Sequence, residues 1–472
     1  MNKKLLFPLG IILLSSISLS AQESIGYTNP DDLKYLLDYQ LPDWGYNNFY
    51  ISSGSLGANG SYRFSDQTNS NPVFSNSETD LSNHRFNLGI TPSYELYRES
   101  EARTFSINTY SGLSTIFSNS NLDATNSSDQ NSLINYNSFN YLLSVANNYY
   151  VSNNSFLIND LYSEIEFTKQ NRKIEVNGST NTEDDIINRN IVLMPRIGFG
   201  IGRIRNVTPI IRAIRVNERY KELGNNSLSR NEILSTADNF TRVQGYQRTK
   251  ERFQKTFWGD VNSGVNGKLD QLAAFDIFYL NDVFSENLGS RFEGYEAYVS
   301  VDYFYSNQLS KVNDQFNNVE TRNFSISRAT HVNLNYDWFK NLDLYNQISI
   351  QAENKLILPL ERDDPIDWSN EITIDAKWLW NFADRFQLNS SFENSFRSIN
   401  DKNETFDNNR IFTSQLRTNF YYFIENKVAL NAGVSIVHRN SNVDVTTLNT
   451  SIKEFQWGLN AGISYYFNRN LY

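Results

Sequence analysis

A strict two-residue alternation near the end of the chain is the feature that most restricts its fold. Between 455 and 468, apolar and aromatic side chains occupy the odd positions, whereas mostly small and polar residues occupy the even ones. Because successive side chains of a β-strand point to opposite faces, this segment predicts a strand with one apolar and one polar face. The apolar positions are Phe455, Trp457, Leu459, Ala461, Ile463, Tyr465 and Phe467, and the even positions are Gln456, Gly458, Asn460, Gly462, Ser464, Tyr466 and Asn468.

The same alternation recurs in 428–436, 412–422, 386–393 and 372–380. A soluble β-sandwich alternates as well, but its strands are usually about 5 to 6 residues long, whereas we expect strands of about 13 to 17 residues here. Charged side chains repeatedly lie opposite the apolar band. Aromatic residues such as Trp378 cluster at strand ends, as membrane interfaces require. We therefore predict an all-β transmembrane barrel of about 14 antiparallel strands with an α-helical insert.

The first residues predict the compartment. Lys3 and Lys4 precede a short apolar run and a small-residue stretch that ends at Ala21. This pattern is typical of a secretory signal peptide, which we assign to 1–21. The sequence has no Cys, so the mature chain has no disulfides. We assign 22–46 to an N-terminal periplasmic lead-in or a small plug, 47–202 to strands one to six, and 291–472 to strands seven to fourteen.

Connections between the predicted strands alternate in length. We expect short turns near 99–102, 152–154, 340–343, 382–385 and 425–427, and long polar loops near 65–82, 119–131, 170–188, 308–321, 360–370, 400–409 and 440–451. Outer-membrane barrels have short periplasmic turns and longer outer loops. An even strand count then places both termini in the periplasm.

With its signal peptide, its alternating strands and its final strand 455–472, the chain resembles Gram-negative outer-membrane β-barrel proteins of the porin-like kind. It further resembles a subgroup in which a strand ends in a Gly-Arg-Ile…Val-Thr stretch before a helical insert. The resemblance implies an outer-membrane location and contact with outer-membrane lipid. It also implies that the barrel-assembly machinery reads the final strand, with Phe467 and Tyr472 as the assembly signal.

A glycine-rich stretch, GFGIGRIRNVTPIIRAIR at 198–215, marks the transition to the insert. It lacks the third glycine of a dinucleotide-binding fingerprint and the Gly-Lys-Ser/Thr of a phosphate loop, so nucleotide binding is not expected. After it the apolar period changes from 2 to about 3.6. We predict a helix capped by Thr208, with Pro209 at its first position and Gly224 after its end. Further helical tracts follow near 229–258 and 269–288, so that 203–290 forms a helical insert on the periplasmic side.

Charge is distributed unevenly. The insert holds 13 Lys and Arg and 10 Asp and Glu, a net +3, whereas the rest of the chain holds 29 and 42, a net −13. One interpretation is a solvated helical bundle. The other is a docking module for a periplasmic partner or an anionic cell-wall component, with Arg212, Arg215, Arg219 and Lys221 as the docking face. The overall net charge of −10 argues against nucleic acid as a partner.

Catalysis is not expected from the sequence. The chain has three His, at 84, 331 and 438, and no zinc-protease motif or Cys/His cluster, so we predict no catalytic residue, metal or cofactor. His438 lies on lipid-facing parity near the outer rim, where a lipid-modifying site would also need a neighbouring Ser. A rim His without catalytic function is the simpler interpretation.

The polar face of each alternating strand predicts which side chains face the lumen. Their charges are of mixed sign, so they could tune the selectivity of an open pore or pair with one another and close the lumen. Because a barrel of about 14 strands has an interior wider than one that side chains just fill, the leading hypothesis is a passive channel or small-solute transporter. The alternative is a structural or assembly barrel whose periplasmic insert docks a partner, and a rim lipid-modifying enzyme is a third hypothesis. The candidate lumen-facing residues are Arg85, Glu95, Asp160, Glu164, Glu296, Asp302, His331, Lys355, Asp375, Lys377, Glu393 and Arg417.

Overall fold

The structure is a computed structural model of the 472-residue chain. It describes residues 34–36, 39–67, 77–124, 128–284, 286, 288–362, 364–382, 386–402, 406–425, 428–445 and 448–465. The predicted signal peptide (1–21) and the predicted assembly signal, Phe467 and Tyr472, lie outside these residues.

Fourteen strands within the described residues form one antiparallel sheet, in which each strand pairs with its neighbours in the chain from the first to the fourteenth. This confirms the predicted number and order. A pairing of the fourteenth strand with the first is not among those of the described residues. The strands are β1 Trp44–Gln67, β2 Ser77–Glu99, β3 Arg103–Ala124, β4 Gln130–Ser152, β5 Ser155–Val176, β6 Ser179–Asn206, β7 Phe292–Asp314, β8 Val319–Asn341, β9 Asn346–Pro359, β10 Ile366–Phe382, β11 Phe386–Asp401, β12 Phe406–Glu425, β13 Val428–Val445 and β14 Leu448–Tyr465.

One face of this sheet exposes rows of large apolar side chains. On β6, for example, Ile197 is 66% exposed and Phe199 51%, whereas Gly198 between them and Gly200 after Phe199 belong to the opposite face. Cross-strand register continues the row into Val299 and Val301 of β7. A sheet that turns its apolar side outward and its polar side inward has the alternation of a barrel in lipid. The fold is therefore an all-β transmembrane barrel with an α-helical insert. No described helix is both long enough and apolar enough to cross a membrane.

Toward one end of the barrel the strands extend much further than the sequence predicted. We name the end with the short connections 100–102, 153–154 and 342–345 the turn side, and the opposite end the loop side. The predicted long loop at 170–188 is mostly strand, because β5 and β6 pair up to a two-residue turn, Asn177-Gly178. Both turn residues have positive φ, 51° and 74°, the conformation of a tight hairpin turn. The predicted loops at 119–131 and 308–321 are likewise largely strand.

The polar composition of these segments misled the length prediction. Asn, Ser and Thr dominate both faces there, so apolar alternation ends although strand pairing continues. Cross-strand pairs of opposite charge support the extension, such as Arg172 with Asp184.

The helical insert joins β6 to β7 on the turn side. Its helices are α1 Thr208–Glu222, α2 Arg230–Thr241, α3 Val243–Thr249, α4 Phe253–Gly264 and α5 Ala274–Asn281, with short 3₁₀ helices at Lys268–Gln271 and Asp282–Phe284. The predicted Thr208 cap is wrong. Val207 is the N-cap, and the Thr208 hydroxyl instead accepts a hydrogen bond from the Arg291 amide at 2.8 Å. Gly224 follows the end of α1 with φ of 84°, as predicted.

Glycines at the end of β6 serve packing rather than ligand binding. A Cβ on Gly200 would lie 2.3 Å from the Phe156 ring, so the glycine leaves room for this aromatic side chain. Phe156 is fully buried between Tyr150, at 5.3 Å between ring centroids, and Tyr298, at 6.3 Å. An aromatic side chain that covers a strand glycine lets the sheet curve without leaving a void.

We predict that Gly200→Ala destabilises the barrel by about 1 to 3 kcal/mol, because the added methyl overlaps the Phe156 ring. In the double variant with Phe156→Ala, the ring is gone and the methyl should cost little further. Urea unfolding followed by tryptophan fluorescence measures both effects. Additive free energies in this double-mutant cycle would contradict the assigned contact.

Candidate lumen and its helical closure

All twelve predicted lumen-facing residues lie on the face opposite the exposed apolar rows. Cross-strand register shows this most directly for Asp160, Arg196, Asp302 and His331, which follow one another across β5, β6, β7 and β8. Lys355, Asp375, Glu393 and Arg417 occupy the same face of β9 to β12. That this face lines an open lumen stays a prediction.

Arg196 organises the charged side chains of this inner face. Its Nε donates to Asp302 Oδ1 at 2.7 Å, its Nη2 donates to Asp302 Oδ2 at 3.2 Å, and its Nη1 lies 3.7 Å from Asp160. Asn333 Nδ2 donates a further bond to Asp302 Oδ2 at 2.9 Å. Asp302 is only 1% exposed, and its bidentate bond to Arg196 compensates for the loss of hydration of the carboxylate. The ring of His331 stacks on Phe304 at 5.8 Å.

Other predicted lumen charges also have close partners. Lys377 Nζ lies 2.6 Å from Asp375, its neighbour on β10, and donates to Gln351 at 2.9 Å. Glu296 accepts from the Tyr150 hydroxyl at 2.9 Å and from the Ile204 amide at 3.2 Å. These contacts fix the wall of the inner face rather than leaving each charge free in solution.

Two clefts lie on the inner face toward the loop side. A cleft of about 390 Å³ between β5 and β8 is lined mainly by amide and hydroxyl side chains, and one of about 400 Å³ between β10 and β14 by mixed charges. Asn188, Asn190, Gln308 and Asn323 belong to the first, and Arg397, Arg439, Glu371 and Glu454 to the second. Such walls suit hydrated, polar solutes.

A single apolar core lies at the turn-side mouth, which we name the helical core. It joins three parts of the chain that are distant in sequence: the lead-in before β1, the insert and the β8–β9 turn. The sequence did not indicate that these three parts share one core, because no periodic pattern links them. Its members include Leu36, Tyr39 and Leu41 of the lead-in, Leu344 of the turn, and Ile210, Ile211, Ile214, Ile233, Phe240, Phe257, Trp258, Val261 and Leu280 of the insert.

The insert contacts the inner face at widely separated strands. On α3, Arg248 lies 3.5 Å from Glu95 of β2, and a Cβ on Gly245 would lie 3.5 Å from the Trp44 ring of β1. After α5, a Cβ on Gly289 would lie 2.7 Å from Leu379 of β10, an inward residue. These contacts place the insert at the turn side, against strands from β1 to β10.

Glu101 in the β2–β3 turn ties this closure to the barrel. It accepts hydrogen bonds from Arg205 at 3.1 and 3.2 Å and from the Leu41 amide at 2.8 Å, and Arg203 lies at 2.9 Å. Burial opposes ionisation of Glu101, but the bonds from Arg205 and Leu41 and the Arg203 charge lower its pKa below the usual range. The carboxylate therefore links β6, the lead-in and the turn.

The predicted docking face is mostly turned inward. Arg212 donates to the Val283 carbonyl at 3.2 Å, and Arg219 donates to Glu286 at 2.7 Å. Arg215 lies 3.5 Å from the same Glu286, whose side chain is 7% exposed. Burial raises the pKa of Glu286 in spite of these guanidinium groups. Three of the four residues therefore hold the insert together, because their long side chains reach from α1 to Val283 and Glu286 after α5, and of the four only Lys221 is exposed.

We predict that Glu286→Gln destabilises the insert by about 3 to 5 kcal/mol, because buried Arg215 and Arg219 lose their shared carboxylate. Hydrogen exchange of the α1 amides, followed by mass spectrometry, reports the opening free energy. Exposed Glu251→Gln is the matched control, with a change within about 0.5 kcal/mol. Equal protection in both variants would show that the cluster does not hold the insert.

Two of the three histidines lie on the outward face. His84 is near the loop-side end of β2, and His438 on β13 pairs in register with Ser414 of β12. Asn394 lies across from Ser414 on β11, so Ser414 stands between the Asn and the His. A hydrolytic triad needs the His in the middle. Among the described residues no hydrogen bond is assigned to His438.

No family model and no curated protein matches the chain. Among solved structures, the chain is similar to the ferric yersiniabactin uptake receptor FyuA from Yersinia pestis, with 6% identity and a TM-score of 0.33 over 89% of this chain and 70% of the receptor. The beta domain of the Bordetella autotransporter BrkA has 8% identity and a TM-score of 0.24, over 74% of this chain and 91% of that domain. OpdQ from Pseudomonas aeruginosa has 8% identity and a TM-score of 0.20, over 89% of this chain and 97% of OpdQ. All three TM-scores are below 0.5, so no functional inference follows from them.

Proposed function

We propose that the chain is an outer-membrane channel for small polar solutes, and that the helical insert closes its turn-side mouth. The observation that carries the proposal is the continuous polar face of a fourteen-stranded sheet opposite exposed apolar rows. A barrel of about eight strands is just filled by its own side chains, so fourteen strands leave interior space. Small polar solutes would cross this polar interior when the turn-side mouth is open.

Charge on the inner face favours cations over anions. Near the turn side, Arg203 and Arg205 are paired with Glu101, and Lys377 with Asp375. Acidic side chains outnumber basic ones along this stretch, which concentrates cations in the mouth. The acidic residues of the stretch are Glu95, Glu99, Asp160, Glu296, Asp302, Asp337, Glu353, Asp375 and Glu393.

A disulfide between insert and barrel tests both parts of the proposal. A Cβ on Gly245 would lie 3.8 Å from Tyr46 Cβ, the usual separation across a disulfide, and the chain has no Cys of its own. We expect Tyr46→Cys with Gly245→Cys to conduct in planar bilayers when reduced and to lose most conductance when oxidised. The reversal potential of the reduced channel should show cation preference.

Tyr46→Cys with Gly259→Cys is the matched control, because a Cβ on Gly259 meets nothing within 4 Å and cannot form the bridge. Equal conductance of the oxidised and reduced Gly245 pair would disprove closure by the insert. Silence of the reduced protein and of the wild type would disprove the channel and favour the alternative, a structural barrel that anchors the insert.

The register of Ser414 and His438 supports a second candidate, hydrolysis of lipid acyl esters at the outer rim. A serine hydrolase of this kind would react with a fluorophosphonate probe, and Ser414→Ala would abolish the labelling. Ser395→Ala, on the inner face, is the control. We expect no labelling of the wild type, because Ser414 rather than His438 occupies the middle of the row. Labelling of the wild type that is lost in Ser414→Ala would favour the hydrolase over the channel.

A further inference from the structure

An exposed aromatic surface on α5 has no role in the closure. Phe275 is 85% exposed, Phe278 40% and Tyr279 37%. The rings of Phe275 and Phe278 lie 6.5 Å apart, edge to face. We name these three residues the aromatic patch. Single exposed apolar residues are ordinary, but adjacent large aromatic side chains on one short helix mark an interaction surface.

This patch differs from the apolar residues of the same helix that stabilise the insert. Leu280 is fully buried in the helical core, and Ile277 packs against it. The Asp276 carboxylate accepts the Ala273 amide at 2.9 Å and so caps the start of α5. The other side of the helix therefore holds it in place and leaves the Phe275 and Phe278 rings exposed, whereas Tyr279 also contacts Glu222 and Arg219 of α1.

Acidic side chains lie on α5, next to it in the chain and on α1 beside Tyr279. Asp276 lies within α5, exposed Asp270 precedes it, and Glu222 of α1 accepts a hydrogen bond from the Tyr279 hydroxyl. Asp282 follows α5, with its side chain 28% exposed. The nearby cation Arg219 is already bound to Glu286 at 2.7 Å. The rim of the patch is thus negative.

We propose that the aromatic patch docks a polypeptide segment that carries apolar and basic side chains. The aromatic rings supply the apolar contact, and the acidic rim selects basic neighbours. A helix that lies on a membrane surface has a basic polar face instead, so the acidic rim disfavours lipid as the occupant. This proposal does not depend on conduction, because the patch belongs to the outer side of the insert.

Site-specific photo-cross-linking in intact cells identifies the occupant. The photoreactive residue benzoylphenylalanine replaces Phe275, and the matched control carries it at exposed Glu251 in the α3–α4 connection. Mass spectrometry then identifies the cross-linked peptide and its sequence. We expect a contact peptide rich in apolar and basic residues from position 275 and none from 251. A lipid adduct, a second copy of this chain, an acidic contact peptide or no specific product would each overturn the proposal.

The contact peptide, once synthesised, allows a second measurement on the full-length protein in nanodiscs. Phe275→Ser with Phe278→Ser should weaken its binding roughly tenfold or more, since buried aromatic anchors dominate such interfaces. Both side chains are exposed, so the fold should persist, and unchanged hydrogen exchange in α1 verifies this. Asp270→Asn should weaken binding less and reduce its salt dependence. Unchanged affinity of the double variant would overturn the assignment of the patch.

Discussion

Backbone hydrogen bonding in an apolar medium is the constraint on which the rest of this structure depends. In lipid every N–H and C=O group must find a partner within the protein, which a strand achieves only by pairing with neighbours on both sides. Pairing fixes the two-residue period, and the period separates an apolar from a polar face. On β6, the apolar side chains of Ile197 and Phe199 meet lipid, and Arg196 in the alternate register faces inward, where it pairs with Asp302. The inner charge network is therefore a consequence of the outer apolar rows.

The helical insert obeys a different rule, because it satisfies its backbone internally and needs an apolar core. Its amphipathic helices cannot bury their apolar sides against the polar inner face of the barrel. They bury them against one another and recruit Leu36 and Tyr39 from the lead-in and Leu344 from the β8–β9 turn. Contact with the inner face is then made by polar groups, by Leu379 and by Trp44 and Tyr46, whose rings offer both apolar and polar surface.

The sequence predicted what depends on periodicity and missed what depends on tertiary contact. Strand number, strand order and the inward parity of residues such as Asp302 followed from alternation alone. Strand length did not, because pairing continues through Asn-rich and Ser-rich segments where alternation has ended. Thr208 was a reasonable cap by residue type, but Arg291 engages its hydroxyl. No local signal marked Glu101, which gathers Arg203 and Arg205 from a hundred residues away.

The relative strength of these contacts determines how the mouth can open. Within the helical core, many large side chains are fully buried, and burying each contributes about 1.5 to 3 kcal/mol. Between insert and inner face the contacts are few, and Arg248 with Glu95 is a half-exposed ion pair worth at most about 1 kcal/mol. Separating the insert from the inner face alone therefore costs less than unfolding the insert, but Leu344 of the β8–β9 turn is buried in the helical core and holds the insert to that turn. Leu41, Val207 and Leu288 are buried in the core next to the connections to β1, β6 and β7. The lead-in and the insert therefore form one packed unit, which is joined to the barrel through these three connections and through Leu344 of the β8–β9 turn.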